Sequence, residues 1–235
     1  MTLFKKPWRL ADGFLSGGVM ALSGLIIQIA AGPVDWGVIS SPVNLLLLVA
    51  LLALLAAVAA FRGKSSFLAW LGSSEAVVPA ICWTLLLTIV MGLTAQIPER
   101  GWLGSMTTFW PFVLCYVWLA FVVGLVALDR VSRLGRNWRE IAPALLHLGF
   151  FVTLVCASLG SADKKDLEMT IHEGETVTLA VAEDGTSYDT GLSVRLDDFT
   201  MEVYPSGMPK RFASDVLVRD KSGKETAAVI EVNKP

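Results

Sequence analysis

The sequence predicts a membrane α-helical bundle with five transmembrane helices, followed by a small antiparallel β-sandwich or barrel-like domain. Hydrophobic residues make up 54% of the 235 positions and charged residues only 17%, whereas a soluble domain carries about 25% charged residues. Long apolar runs fill positions 13–160, and the pattern changes to period two after position 161. We therefore assign residues 1–160 to a transmembrane domain and residues 161–235 to a β domain.

Five apolar segments have about the length that a helix needs to cross a hydrocarbon core of roughly 30 Å. They cover residues 13–31, 43–61, 76–95, 109–128 and 141–160. The first segment follows a basic stretch, as the apolar region of a signal peptide does. It is nevertheless about as long as a full span, and no clear small-residue cleavage site accompanies it. We expect this segment to be a retained anchor.

Basic residues fall in alternate loops, and this predicts an orientation because cytoplasmic loops are enriched in Lys and Arg. The basic loops contain Lys5, Lys6, Arg9, Arg62, Lys64, Arg130, Arg133, Arg136 and Arg139. Of the other two loops, one contains Asp35 alone and the other contains Glu99 and Arg100. The N-terminus is therefore predicted to be cytoplasmic, and the odd number of spans places the β domain on the far side. Tryptophans near the span ends favour the same boundaries: Trp8, Trp36, Trp102, Trp110 and Trp138.

The β domain is predicted from short alternating segments separated by turn signals. The segments cover residues 167–171, 176–181, 192–196, 199–204, 212–219 and 226–232. Glycine-containing turns separate them at Glu173-Gly174, Asp184-Gly185, 205–207 and 221–223. The sequence stops at Pro235, directly after the last predicted strand, which leaves the edge of a small domain unmatched. We expect the natural protein to continue or another chain to complete the sheet.

Composition and motifs argue against several function classes. The net charge of −2 provides no basic field for nucleic acid. The sequence contains no P-loop, no zinc-ligand spacing and no C-x-x-C-H haem attachment motif. The three cysteines, Cys82, Cys115 and Cys156, all lie within apolar runs and form no C-x-x-C pair. We interpret them as small packing residues, because a reactive thiolate needs a polar and partly exposed setting.

His147 is the one histidine within a predicted span, and it lies about 9 Å from the cytoplasmic end of the fifth helix at 1.5 Å per residue. An ionisable side chain at that depth is costly without a partner and is therefore a functional candidate. Phe150, Phe151 and Leu154 share or border its helix face and form an apolar wall. One interpretation is that a neutral imidazole nitrogen is an axial ligand to haem iron. The other is that His147 hydrogen-bonds to a neighbouring span and serves helix association.

The polar residues of the β domain are weaker candidates. His172 lies beside the Glu173-Gly174 turn and is predicted to be solvated. It cannot share an iron with His147, because the helix from His147 to Gly160 alone spans roughly 20 Å. A second ligand must come from another helix or another chain. The acidic residues beside the strands are interpreted as solvated turn carboxylates: Asp197, Asp198 and Asp215.

The order of motifs after the fourth span resembles the ResB family of cytochrome c biogenesis proteins. A strand ending in Asp198-Phe199 is followed by a Tyr204-Pro205 turn, by Phe212-Ala213-Ser214-Asp215 and by Val232-Asn233-Lys234-Pro235. The fifth span, with His147 through Phe151, is similar to the histidine-bearing span of that family. The resemblance covers most of residues 140–235 and is looser over the first four spans. The family continues past the last strand to another strand and a further span, which this sequence lacks.

The resemblance implies system II cytochrome c maturation in the bacterial inner membrane, with a periplasmic β domain. It implies a non-catalytic subunit of a holocytochrome c synthase that helps to move haem across the membrane and to present it to apocytochrome c. His147 matches the intramembrane haem ligand, with Phe150 and Phe151 as the wall of its pocket and haem b as the transient ligand. Iron bound through haem at His147 is the only metal expected. The implied partners are a tryptophan-rich haem-handling membrane subunit, apocytochrome c and the lipid bilayer.

A different class of function stays open on the residues alone. The chain could be a membrane anchor or sensor whose β domain binds a protein and carries no cofactor, with ordinary helix packing explaining His147. A transporter is disfavoured, because paired broken helices and intramembrane acids are missing.

Overall fold

A computed structural model of the protein describes residues 7–134, 139, 141–182 and 185–232. The chain divides into two compact units, Met1–Lys164 and Lys165–Pro235. Several residues used in the topology and turn predictions lie outside the described residues: Lys5, Lys6, Arg136, Trp138, Asp184, Asn233, Lys234 and Pro235.

The first unit contains six described α-helices, five of which are long and apolar enough to cross a membrane. They are α1 (Leu10–Ala31), α2 (Val43–Phe61), α3 (Ser66–Leu71), α4 (Ser74–Leu93), α5 (Trp110–Ser132) and α6 (Ile141–Leu159). This confirms the predicted helical membrane part and its five spans. The remaining helix, α3, is short and apolar and lies between α2 and α4 in the chain.

Local polar contacts explain why two helices begin or end beyond the apolar runs. α1 starts at Leu10 because the Arg9 backbone N–H donates to Asp12 Oδ2 at 2.8 Å, which caps the helix N-terminus. α5 continues to Ser132, beyond the predicted end at 128, and its last turn carries an ion pair between Asp129 and Arg133. Hydropathy alone does not register these extensions, since each adds polar residues to an apolar run.

Helix α5 lies at the centre of the unit and contacts α1, α2, α4 and α6. Small residues permit this close approach, as is usual where helices pack in lipid. A Cβ at Gly24 on α1 would lie 2.5 Å from the Pro111 nitrogen of α5. A Cβ at Gly124 on α5 would lie 2.7 Å from Phe151 Cε2 and 2.8 Å from Leu55 Cδ1. The two glycines therefore set how closely α1, α2 and α6 approach α5.

Side-chain hydrogen bonds join the loops at the end of the bundle where α1 ends and α5 begins. Gln28 is buried, and its Oε1 accepts from the Trp110 backbone N–H at 3.0 Å. Trp110 Nε1 donates to the Gly32 carbonyl at 3.0 Å. Asn44 Nδ2 donates to Asp163 Oδ2 at 2.6 Å, which ties α2 to the residues that follow α6. We call the other end of the bundle, with Arg62, Lys64, Arg130 and Arg133, the basic end.

The second unit is a five-stranded antiparallel sheet in the order β1-β2-β3-β4-β5. Its strands are β1 (Leu167–Glu168), β2 (Thr176–Ala182), β3 (Ser187–Val203), β4 (Pro209–Arg219) and β5 (Glu225–Glu231). The predicted small antiparallel β domain is thereby confirmed. Each strand pairs with its predecessor, and no described strand pairs β5 with β1. The described strands therefore form one open layer and do not close into a sandwich or barrel.

The segments predicted as separate strands at 192–196 and 199–204 are one strand, β3. The register shifts between Leu196 and Asp198, so one extra residue bulges out and both segments keep their apolar side chains on the same face. A bulge interrupts the alternation of apolar and polar residues, so the sequence pattern predicted two strands instead of one. The tight turn between β3 and β4 has Gly207 at φ 81°, a backbone conformation that favours glycine.

Gly24→Ala is expected to destabilise the helical unit by about 1–3 kcal/mol, because the new methyl group would overlap the backbone of α5. Thermal unfolding in detergent, followed by loss of the monodisperse species on size exclusion, measures the effect. Gly92→Ala on α4 is the matched control, since nothing lies within 4 Å of its Cβ position. Equal unfolding temperatures for the two variants would contradict the proposed close approach.

Candidate functional site

His147 lies in the second turn of α6, and its ring is held by its own helix. Nδ1 lies 2.7 Å from the Pro143 carbonyl oxygen. A carbonyl oxygen only accepts hydrogen bonds, so Nδ1 carries the proton and a neutral ring has its lone pair on Nε2. The backbone therefore selects the tautomer and leaves Nε2 as the nitrogen able to bind a metal.

The side chain of His147 points along the buried face of α6. At 3.6 residues per turn, His147 shares a helix face with Ala144, Phe151 and Leu154, all three of which are buried. The opposite face carries Leu146, which is 68% exposed. His147 itself is half-buried. The imidazole is therefore directed toward the helix bundle and stays partly open at its side.

The two phenylalanines predicted to line a pocket have different environments. Phe151 is only 7% exposed and contacts Gly124 on α5. Phe150 is 44% exposed and borders the face of His147. Consecutive residues on a helix are about 100° apart, so one ring faces the core and the other faces outward. Phe150 is available to a ligand beside His147, whereas Phe151 holds α6 against α5.

The contact at Gly124 also fixes the depth of His147 relative to the neighbouring helices. α2 and α5 run toward the basic end, and α6 runs away from it. The contact is formed by Leu55, Gly124 and Phe151. On each helix, the residue four positions closer to the basic end lies roughly 6 Å further along the axis. These residues are Ala59 on α2, Leu128 on α5 and His147 on α6. His147 is therefore level with the last turns of α2 and α5.

An ion cluster follows directly at that end of the bundle. Asp129 Oδ1 lies 2.7 Å from Arg62 Nη1, and its Oδ2 lies 2.5 Å from Arg133 Nη2. The Arg62 contact joins the C-terminal end of α2 to α5. The Asp129 side chain is 17% exposed, whereas that of Arg62 is 52% exposed. Asp129 and Arg133 are four residues apart, a spacing that favours an ion pair on a helix and could have been recognised from the sequence. The orientation prediction used the arginines of this loop and did not consider Asp129.

The other candidate residues belong to the sheet unit. His172 is exposed, before β2 in the sheet unit. Asp197 pairs with Arg195 at 2.6 Å, and Asp198 accepts from the Thr200 hydroxyl at 3.0 Å. Within the described residues, no group of three or more His, Cys, Asp or Glu side chains could hold a metal ion.

The cysteines agree only in part with their interpretation as packing residues. Cys115 on α5 is fully buried. Cys82 and Cys156 are exposed on the surfaces of α4 and α6, so they are not part of the protein core. In a membrane span an exposed apolar position faces lipid, and hydropathy does not distinguish it from a core position.

The sheet has one apolar and one charged face. Residues paired directly across strands share a face, and the apolar face contains Val194, Leu196, Phe199, Met201, Phe212, Val216, Val218, Ala228 and Ile230. Phe199, Met201 and Ile230 are about half exposed, at 49%, 54% and 52%. Because apolar patches of this kind usually mark interaction sites, the face is a candidate docking surface.

The charged face carries ion pairs across β3, β4 and β5. Glu202 accepts from Lys210 Nζ at 2.7 Å and from Arg211 Nη1 at 3.3 Å. These contacts, the Lys210 hydrogen bond first, lower the pKa of Glu202 below its ordinary value of 4.5. Arg211 also pairs with Glu231 on β5. The pairs give the three strands a salt-sensitive polar surface opposite the apolar face.

Comparison with known proteins finds matches for the C-terminal part of the chain. Residues 135–235 match the ResB-like family. The chain is 32% identical over 97 residues to the cytochrome c biogenesis protein CcsB of Synechococcus sp. (strain RCC307), covering 41% of this chain and 21% of that relative. It is 28% identical over 96 residues to CcsB of Prochlorococcus marinus (strain NATL1A), covering 41% and 22%. The matched part thus spans about a fifth of these relatives. No solved structure matches. The resemblance to the ResB family is confirmed for this part of the chain.

The stability of the sheet unit is expected to depend on pH through Glu202. Its pKa is lowered on folding, so its contribution is complete above pH 4.5 and is lost as the pH falls through the folded value. Glu202→Gln removes this dependence, so the variant should lose less stability than wild type between pH 5 and about pH 3. Thermal unfolding in detergent across this range measures it, and Glu99→Gln on a loop of the helical unit is the control. Parallel curves for Glu202→Gln and wild type would contradict the prediction.

Proposed function

We propose that this multi-pass membrane protein, whose residues 135–235 belong to the ResB-like family, is a haem-delivery and assembly subunit of a system II cytochrome c synthase. It would help to move haem across the membrane and to present it to apocytochrome c. The observation that carries the proposal is the imidazole of His147, which α6 orients with Nε2 available. The same family-matched segment continues from α6 into the sheet, so the candidate ligand and the candidate docking surface lie on one stretch of chain.

The residues around His147 fit haem as a transient cargo. The Pro143 carbonyl fixes the tautomer and the ring orientation, which is the usual role of a second partner behind a metal-bound histidine. Phe150 offers an aromatic side chain beside the imidazole, and Phe151 holds the helix in place from its buried side. One imidazole from one helix supplies one axial ligand. The second ligand would come from another helix or from a partner chain.

The family resemblance implies a bacterial inner-membrane location, and the charge distribution supports an orientation with the basic end of the bundle in the cytoplasm. His147 would then lie close to the cytoplasmic side, where haem b enters, and the sheet unit would lie in the periplasm. In this arrangement α6 connects the entry point for haem to the compartment in which apocytochrome c is matured.

Partners complete the proposed activity. A tryptophan-rich haem-handling membrane subunit would receive the haem, and apocytochrome c would supply the cysteines for thioether formation. An unfolded apocytochrome presents apolar side chains, which suit the apolar face of the sheet. We propose a non-catalytic role for the chain within the synthase, because apocytochrome c and the partner subunit would supply the reacting groups.

A second candidate function is a membrane-anchored protein-binding or sensor module without cofactor, and the exposed apolar face of the sheet favours it. On that reading His147 serves only helix association. The hydrogen bond of its Nδ1 to Pro143 lies within α6 and joins no second helix, which favours the ligand role over the association role.

His147→Ala is expected to abolish, or shift markedly, the haem absorbance of the protein purified with its endogenous partners. The reason is that Nε2 is the only imidazole nitrogen that the described part of the bundle offers. Pyridine haemochrome content and the visible spectrum measure the change. Added imidazole should restore part of the spectrum in the variant by supplying the missing ligand.

His172→Ala is the matched control, since it removes the other histidine of the chain from an exposed position. It should leave haem content and spectrum unchanged. Size exclusion of both variants separates loss of a ligand from loss of the fold. An unchanged spectrum in a folded His147→Ala protein would overturn the ligand role and leave the cofactor-free module.

The proposed orientation is tested by cysteine labelling in a variant in which Cys82, Cys115 and Cys156 are replaced by alanine. Lys64 lies at the basic end of the bundle and Lys224 in the turn between β4 and β5, and both are exposed. In spheroplasts, a membrane-impermeant maleimide should label Lys224→Cys and should label Lys64→Cys only after permeabilisation. Labelling of both variants from outside, or the reverse pattern, would exclude this topology.

A further inference from the structure

A small cavity lies between α2, α3 and α5 at the basic end of the bundle. Its volume is about 190 Å³, and its lining is mostly apolar, from Val58, Ala59, Leu68, Leu125 and Leu128. Its polar lining comes from Arg62, Asp129 and Ser132. All of these residues belong to the helical unit. The cavity therefore combines an apolar interior with a charged group that is partly open to solvent.

Arg62 is the side chain of this cavity whose N–H donors are available to a ligand. Its guanidinium has five N–H donors, and the described residues provide it with one ion pair, to Asp129 Oδ1 at 2.7 Å. Asp129 is largely buried and is also held by Arg133. Ser132 Oγ donates to the Asp129 backbone carbonyl at 2.8 Å and is therefore occupied. The carboxylate holds the guanidinium at the cavity, and the other N–H donors are open to solvent or a ligand because the side chain is 52% exposed.

The charges of the cluster favour an anionic ligand. The charged residues that line the cavity are Arg62 and Asp129, and Arg133, which pairs with Asp129 from outside the lining, brings the cluster to a net charge of one positive unit. The ends of membrane helices lie at the level of lipid headgroups. The guanidinium geometry matches the oxygens of a phosphate or carboxylate, which an ammonium group does not do equally well. Basic pockets between membrane helices commonly bind lipid headgroups on the cytoplasmic side.

We propose that this cavity binds an anionic phospholipid, with the phosphate on Arg62 and part of the lipid's apolar portion in the cavity between α2, α3 and α5. Asp129 is the positioning residue, because it orients the guanidinium and contributes no donor of its own. The bound lipid would fill the space between α3 and the two long helices. The inference is independent of haem binding at His147, which uses a different helix and a different chemical group.

Native mass spectrometry of the detergent-purified protein with added phosphatidylglycerol or phosphatidylcholine tests the proposal. Wild type should retain phosphatidylglycerol in preference to phosphatidylcholine. Arg62→Ala should weaken phosphatidylglycerol binding about fivefold, as expected for one basic side chain near the headgroup level. Arg62→Lys should recover only part of the preference, because an ammonium group lacks the planar fork of donors.

Two further variants separate the cavity from diffuse surface charge. Lys64→Ala is the matched control, since the Lys64 ammonium lies over the Phe61 ring at 4.9 Å and does not line the cavity. It should keep the wild-type preference. Ala59→Leu keeps every charge and fills the cavity with a residue that suits a helix, and it should reduce lipid retention. Equal losses in Lys64→Ala and Arg62→Ala, or unchanged retention in Ala59→Leu, would overturn the proposal.

A haem competition identifies the source of the anion, because haem carboxylates offer similar oxygens. Added haem should leave phosphatidylglycerol bound to the wild-type protein. Displacement of the lipid by haem would assign Arg62 to a haem carboxylate and overturn the lipid assignment. Failure of the haem ligand proposal would instead appear as an unchanged spectrum in His147→Ala, with no effect on lipid retention.

Discussion

The close contact of three helices at Gly124 is the constraint on which the geometry of the helical unit depends. The missing side chain lets Phe151 of α6 and Leu55 of α2 meet the same point of α5. In a bilayer, lipid tails are as apolar as the helix surfaces, so such close contacts replace the hydrophobic effect as the force that holds helices together. This one contact sets the rotation of α6, because Phe151 must face inward. It also sets the depth of His147, which lies one turn away on the same face.

The same contact positions the cavity at the basic end. From Gly124 and Leu55 the helices α5 and α2 continue side by side to Asp129 and Arg62, whose ion pair closes the interface. The short helix α3 follows directly after α2, and its Leu68 forms another wall. The interface between α2 and α5 is therefore apolar along its length and ends in an ion pair. A polar group at this depth is tolerated because it lies where the helices reach the headgroup region.

The sequence was sufficient to predict what depends on local physics, and insufficient where partners are distant. The spans were predictable because a bilayer demands about 20 apolar residues per helix, and the strands because alternation has period two. The rotation of each span was not, since α2 is apolar on all sides and its exposed and buried leucines look alike. The sequence likewise did not show that Phe151 is buried while Phe150 is exposed. The Arg62–Asp129 pair joins residues 67 positions apart, and no pattern within either helix indicates it. The open sheet likewise follows from pairing between strands, which alternation does not specify.

The way His147 is held bears on what kind of ligand it would be. Its hydrogen bond to Pro143 lies within α6, so the ring keeps its tautomer whether or not a neighbouring helix or partner chain is present. Where two protein ligands hold the iron, as Met and His do in cytochromes c, both bonds must break before the haem can leave. Here one nitrogen is presented at a half-buried position, and the described bundle supplies no second imidazole. Such a site would bind iron weakly on its own and gain strength only when a partner adds a second ligand. We infer that a single axial ligand suits a haem carrier, because a haem bound on one side only can be transferred to a partner more readily.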